Sequence, residues 1–329
     1  MISGELKSAI QAMPKLELHI HLEGCISKEF IAAQCQAKNI TPPRPLETLF
    51  DTADLSQFLE TLDWICSLVD SAEVAAELAW QFGRYCVAQN IIYCELIVNP
   101  THWANLGYEQ LFPALSAGFD RVEAELGVDV RLLPSILRQQ TAMEALALAQ
   151  WMVANRSQRV VGLSVDGNEA AAGFTGDRFS PAYNLVRAAG LGCTAHAGES
   201  SGAAGVLSAL DDLKVHRLDH GVRVIEDSAL TERVVREGIT LNVCVSSNCV
   251  HLYKSAEEHP FTALRERGVK MTLNTDDPEA VDKTLIEELC WVAEQLDLSL
   301  SDLKALQINA VAASFCDAET KAKLAEQIA

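Results

Sequence analysis

The sequence predicts a closed (β/α)8 TIM-type barrel of the α/β class, with a metal site at its C-terminal mouth and extra helices after the first strand and at the C-terminus. Three observations lead there. From Ala72 onward, long helical patterns alternate with brief runs of Val, Ile or Leu, which implies parallel strands joined by right-handed crossovers. Counted with an earlier strand, these runs number eight. Ionisable residues gather where the strands end, the edge at which barrel enzymes carry their sites. A doubly wound open sheet shares much of the alternation, but no Gly-x-Gly-x-x-Gly follows the first strand to mark a dinucleotide-binding fold.

Residues 1–329 are read as one domain, because a barrel of this size is a single unit and no linker, charge block or low-complexity segment divides the chain. Apolar residues make up 49%, ample for a large core. A net charge of −19 and a pI near 4.8 exclude a general affinity for nucleic acid, which needs surplus Lys and Arg to neutralise phosphates. Met1–Lys15 sets Glu5, Lys7 and Lys15 among short apolar patches, with no signal-peptide pattern. No run approaches the ~18–20 apolar residues of a membrane span. A soluble, cytoplasmic protein is expected. Ten Cys scattered singly from Cys25 to Cys316 read as buried, reduced thiols.

The first strand falls within Leu16–Gly24, Leu-Glu-Leu-His-Ile-His-Leu-Glu-Gly. Side chains of a strand change sides at each residue, so Leu16, Leu18, Ile20 and Leu22 share an apolar face and Glu17, His19, His21 and Glu23 an ionisable one. Two imidazoles at i and i+2 point the same way, roughly 6–7 Å apart, within reach of one cation. Ser27 is a candidate N-cap for a helix over Lys28–Lys38, which Thr41–Pro45 terminates. Asp54–Val69 is helical, with Leu55, Phe58, Leu59 and Leu62 on one side, a pattern that fits a lid over the site or ordinary core packing. The further strands are Ile91–Val98, Val130–Ile136, Val160–Val165, Gly192–His196, Val215–His220, Ile239–Val243 and Val269–Thr275. Helices are expected near Tyr108–Leu126, Ala142–Ala154, Pro181–Ala189, Ala203–Leu210, Asp227–Glu237 and His259–Arg267, with two or three more closing the chain.

Four strand ends carry unusual chemistry: His19-Ile20-His21, His196-Ala197-Gly198-Glu199, Asp219-His220-Gly221 and Asn274-Thr275-Asp276-Asp277-Pro278. A barrel brings them together. Three imidazoles and one carboxylate complete a shell for zinc or a similar borderline metal. His102, His216, His251 and His259 fall in loops, at helix starts or near the barrel floor and are read as solvated or packed. Cys244 with Ser247-Asn248 follows a strand and is in position to shape the pocket.

These motifs, in this order, resemble those of the adenosine deaminase family of the amidohydrolase superfamily, from about Pro14 to beyond Pro278. The resemblance implies that His19, His21, His196 and Asp276 bind one Zn2+ and that Glu199 protonates the ring nitrogen beside the amino-bearing carbon. It further sets His220 beside the attacking water and Asp277 beside another ring nitrogen. Gly167, in Val165-Asp166-Gly167-Asn168-Glu169, matches a position whose backbone N–H meets the purine. The implied reaction is zinc-dependent hydrolytic deamination of a 6-aminopurine, a small-molecule substrate of purine metabolism, with release of ammonia.

Some residues depart from the family pattern. Glu23 stands where adenosine deaminases usually have Asp near the ribose, Ile97 where Arg is common, and Val245 where Pro is common. Glu23 is therefore a candidate substrate contact, as is Phe58 on the helix that fits a lid. Adenosine or a close derivative is the first expectation, with free adenine or another amino-heterocycle as alternatives. Two-metal amide or phosphoester hydrolases on this barrel often bridge their ions with a carboxylated Lys, and none falls at the end of Val160–Val165. A non-catalytic zinc barrel would leave Glu199 and His220 without a task. Oligomeric state is not legible in the sequence.

Overall fold

Parallel strands form one continuous wall around the molecule's centre. The computed structural model describes residues 2–52, 55–155 and 159–328. The strands are β1 (Lys15–His21), β2 (Ile91–Val98), β3 (Asp129–Leu137), β4 (Gly162–Asp166), β5 (Gly192–Cys193), β6 (His196–Ala197), β7 (Arg217–His220), β8 (Thr240–Val243) and β9 (Lys270–Leu273). They pair in parallel in the order β1 to β5 and β6 to β9. Thr194 and Ala195 interrupt the expected fifth strand, yet the ladder continues across the break: His216 donates from its backbone N to Cys193 O (2.8 Å) and Asp219 N to Ala195 O (2.9 Å). At the other seam His21 N donates to Asp276 O (2.8 Å) and Asp276 N to His19 O (3.2 Å). The expected eight-stranded closure is thereby met, with the fifth strand in two pieces.

Both faces of β1 are buried, which refines the reading of its alternation. Lys15, Glu17 and His19 are as inaccessible as Leu16, Leu18 and Ile20. The leucines pack outward against Val311 and Leu324 of the closing helices, while the polar set turns into the barrel. There Glu17 Oε1 accepts from Thr275 N (2.9 Å) and Thr275 Oγ1 (2.6 Å). The strand ends at His21, and Glu23–Cys25 form a 3-10 turn, so Glu23 reaches the mouth from a turn and not along the strand.

Most helices follow local chemistry. Ser27 caps Lys28–Lys38 by accepting from Phe30 N (3.2 Å), and Asn39 ends it in the left-handed region at φ 54°. Tyr108–Leu126 and Ala142–Ala154 stand at their expected bounds. The Asp54–Val69 helix is described over Leu55–Ser67; Asp54 and the side chain of Leu55 lie outside the described residues, as does that of His251. The helix expected from Pro181 begins earlier, at Gly176, with the proline inside it and Gly176 and Phe179 of its first turn buried. The one near Ala203–Leu210 ends in a π-helical turn to Leu213. Gly4–Ala12 was not anticipated; Ser3 caps it and it packs on Leu285–Gln295. All ten cysteines are free thiols, and no described helix is long and apolar enough to cross a membrane.

Candidate active site

Four side chains from β1, β6 and the turn after β9 meet at the mouth. His196 Nε2 lies 3.1 Å from His19 Nε2 and 3.0 Å from His21 Nε2. Asp276 Oδ1 lies 3.2 Å from His19 Nε2 and 3.4 Å from His21 Nε2. Ligands about 2.0–2.1 Å from a tetrahedral zinc would stand about 3.3 Å apart, so these separations are the edges such a shell needs. The tautomers agree. His19 Nδ1 is 3.1 Å from Asn242 O and His196 Nδ1 is 3.0 Å from Val165 O; each carbonyl accepts an N–H and leaves Nε2 with its lone pair facing inward. Lone pairs that close repel unless a cation lies between them. The residues fit a bound metal ion.

The local field favours positive charge. Burial opposes the charged form of His19, but the Asp276 carboxylate beside it holds the ring up at about 9. Burial and the neighbouring imidazoles push His196 well below its usual range, while the imidazoles hold Asp276 well below the ordinary carboxylate range despite its burial. Asp276 also sits at φ 70°, a left-handed conformation that aims its carboxylate into the cluster. Cys244 Sγ is 3.4 Å from His19 Nδ1, but burial pushes this thiol far up, so it packs as a protonated wall.

A cavity of about 320 Å3 opens beside the cluster, lined among others by Glu23, Phe58, Gly167, Glu199, His220 and Asp277. The structure thus brings the ten candidate residues, His19, His21, Glu23, Phe58, Gly167, His196, Glu199, His220, Asp276 and Asp277, to one place. Glu199 Oε1 lies 3.6 Å from His220 Nε2, and His220 Nε2 lies 3.8 Å from Asp276 Oδ2. Asp277 occupies the N-cap position of Pro278–Val281 without making a side-chain cap bond, which leaves its carboxylate for the cavity. A Cβ at Gly24 would stand 2.0 Å from Asp277 Oδ1, so only glycine admits that approach. Gly167 has φ 93°, again the province of glycine. Phe58, Leu59 and Leu62 bring the Leu55–Ser67 helix over the opening. Ile97 and Val245, the two other departures, are buried and absent from the lining.

Glu23 is 1% exposed. Its Oε1 accepts from Asn99 N (2.8 Å) and Trp103 Nε1 (2.7 Å), while Oε2 has no partner among the described residues. Burial raises this carboxyl to about 7 in spite of those donors.

Several residues around the site carried no signal in the sequence. His102 is packed, as expected, but it lines the cavity and contacts Asp63 Oδ1 at 2.6 Å, tying the covering helix to the barrel. Ser247 Oγ donates to Asp276 Oδ2 (2.7 Å). Glu169, buried at the start of a short helix, accepts from the backbone N of Gly198 (3.1 Å), Glu199 (2.9 Å) and Ser200 (3.1 Å) and from Ser201 Oγ (2.7 Å). It anchors the segment that bears Glu199, and its partners some thirty residues away are adjacent only in the fold.

Residues 14–329 match the sequence model of the adenosine deaminase family. An adenine deaminase of Rhodospirillum rubrum is 33% identical over 97% of this chain and 97% of its own. Among solved structures, an adenine deaminase from Arthrobacter aurescens superposes with a TM-score of 0.89 at 25% identity, covering 96% of this chain and 98% of its own. An amidohydrolase from Burkhoderia ambifaria with bound Zn reaches 0.89 at 27% identity, covering 100% and 94%. Matched over nearly its whole length and with its strand-end motifs gathered at one rim, the chain belongs to the adenosine deaminase family and is a metal-dependent aminohydrolase.

Proposed function

We propose that this enzyme deaminates the free base adenine, adding water and releasing ammonia and hypoxanthine, with one Zn2+ held by His19, His21, His196 and Asp276. The sequence put adenosine first; the names of the relatives favour the base. The observation that carries the choice is Glu23, a buried carboxylate in the cavity lining with one oxygen pinned by Asn99 and Trp103 and the other unpartnered. Free adenine has a ring N–H to offer that acceptor. Glycosylation removes it, and an unpaired buried acceptor costs ~1–3 kcal/mol. Among the described residues lining the cavity there is no Lys or Arg to pair with the charge of a nucleotide phosphate.

A Zn2+ held by His19, His21, His196 and Asp276 would supply the Lewis-acid chemistry that makes water a nucleophile at neutral pH. Attack at the amino-bearing carbon breaks the ring's aromaticity, and electron density collects on the adjacent nitrogen. Glu199 donates the proton to that nitrogen, a transfer that typically contributes ~10²–10⁴-fold; the proton kept by the added oxygen then passes to the amino group, the C–N bond breaks to release ammonia, and the proton the water lost restores Glu199. His220 steadies the attacking oxygen, Asp277 meets a second ring nitrogen, and the Gly167 N–H meets the far edge of the purine. Phe58 with its helix excludes bulk water from the ring faces.

The test is ammonia release by the zinc-loaded protein with adenine, adenosine, 2′-deoxyadenosine and AMP at equal concentration. Adenine is expected to give the highest kcat/KM. A preference for either nucleoside would overturn the reading of Glu23 and restore adenosine.

A further inference from the structure

We propose that Asn248 and His259 are positioning residues that hold His220 as its Nε2–H tautomer, so that the neutral ring presents a hydrogen-bond donor, not a lone pair, to the reaction centre. This rests on the reading of His220 as a participant in the deamination. Neither residue lines the cavity.

The direction of the chain of bonds is set by one peptide group. Phe261 N donates to His259 Nδ1 at 3.1 Å. A backbone amide has only a donor to give, so His259 Nδ1 accepts and the neutral ring carries its proton on Nε2. That nitrogen lies 3.1 Å from Asn248 Oδ1 and donates to it. The other end of the same amide, Asn248 Nδ2, lies 3.2 Å from His220 Nδ1. An amide nitrogen only donates, so His220 Nδ1 accepts and its proton resides on Nε2. Rotating the Asn248 amide by half a turn would set its NH2 against the His259 N–H, donor to donor, which fixes the orientation.

Burial makes the assignment strict. Asn248, His220 and His259 are 0%, 1% and 3% exposed, so water is not at hand to repair a mismatched contact. Asn248 is held at both ends of its peptide unit: its N donates to Cys244 O (2.9 Å), and its O accepts from Leu252 N (2.8 Å) and Tyr253 N (3.1 Å). Burial keeps the His259 ring neutral by lowering it to about 3, in keeping with one donor and one acceptor on that ring. His220 itself occupies φ 60°, a strained backbone position that the surrounding bonds sustain. Its Nε2–H faces Glu199 Oε1 and Asp276 Oδ2, the side from which the attacking oxygen is steadied.

Nitrogen-15 NMR of the zinc-loaded enzyme reads the tautomer directly, with the His220 ring signals identified by their loss in His220→Asn. Wild type is expected to carry the proton on Nε2. Asn248→Asp replaces the donor by an acceptor and should move the proton to Nδ1. His259→Phe should leave a mixture and lower kcat by about 10- to 100-fold with little change in KM. His259→Gln, which keeps an N–H for Asn248 Oδ1, should retain both the Nε2–H signal and most of kcat. A wild-type proton on Nδ1, or an unchanged tautomer in both Asn248→Asp and His259→Phe, would overturn the proposal. A shifted tautomer with undiminished kcat would instead leave the positioning role standing and remove His220 from the chemistry.

Discussion

Exchanging Glu169 for Gln keeps the side chain's shape and removes its charge. The carboxylate oxygens accept four hydrogen bonds from the segment Gly198–Ser201, and Arg138 Nη2 stands 3.7 Å away. In the amide one oxygen survives. Its best placement keeps the Glu199 and Ser200 N–H groups and turns the NH2 toward Gly198 N and Arg138, two donors that then have no acceptor there; Ser201 can rotate and accept. A buried N–H left unpaired costs ~1–3 kcal/mol, and the remaining bonds lose their charge assistance, so about 3 kcal/mol is expected in total. An unfolding entropy of about 2.1 cal/mol/K per residue gives about 0.7 kcal/mol/K for 329 residues, so Tm should fall by about 4 °C. Because the freed segment carries Glu199, kcat/KM for adenine should drop by about 10²-fold, the scale of an ångström's misplacement, while metal content stays at one ion per chain. Thermal unfolding, metal analysis and steady-state kinetics on the zinc-loaded variant check this. A Tm within about 1 °C of wild type with unchanged kcat/KM would refute the assignment of Glu169 as the anchor.

Glu199→Gln should bind zinc as wild type does and lose ~10²–10⁴ of kcat, and full turnover in a metal-replete variant would exclude Glu199 as the acid. Removing zinc with a chelator should abolish ammonia release and lower stability by about 4 kcal/mol relative to enzyme at 1,000 Kd of free metal, recoverable on adding the ion back; calorimetry with and without zinc reads the difference. Glu288 is buried, bonded to Ser246 N at 3.0 Å and to the Ser246 hydroxyl, and burial raises it to about 7 from an ordinary 4.5. The native state therefore holds a proton that the unfolded chain releases, and the associated stability is present below pH ~4.5 and is lost as pH rises through ~7. Glu288→Gln mimics the protonated acid, since the Ser246 hydroxyl can turn and accept, so its Tm should gain on wild type by several degrees between pH 5 and 8. A pH-independent difference would contradict the buried-acid account.

Much of this architecture is legible in local sequence because it is set by neighbours along the chain. Ser27 caps Lys28–Lys38 and Asn39 ends it with contacts a few residues away. The period-two pattern of Leu16–His21 puts both imidazoles on one side whatever the rest of the chain does. The cluster of His19, His21, His196 and Asp276 was legible too, because each lies at or near the C-terminal end of an expected strand, and those ends in a barrel share one rim. The reading failed where a residue's neighbours are distant. The alternation of β1 could not reveal that its ionisable face is as buried as its apolar one, which depends on closure through His19, His21 and Asp276. Nor could it reveal that Thr194 and Ala195 interrupt a strand whose ladder bonds bridge the gap.

The sequence by itself determined the element order and the residue types gathered at the strand ends, since composition and periodicity act locally, and the resemblance of those motifs to a known family implied the class of reaction. Tertiary structure alone decided which oxygen of Glu23 is free, that Glu169 grips the segment bearing Glu199, and that His259 reaches His220 through Asn248. Those facts are distances of about 3 Å between residues tens of positions apart, and only the closed barrel, which removes water and leaves each buried donor one acceptor, gives them a definite value.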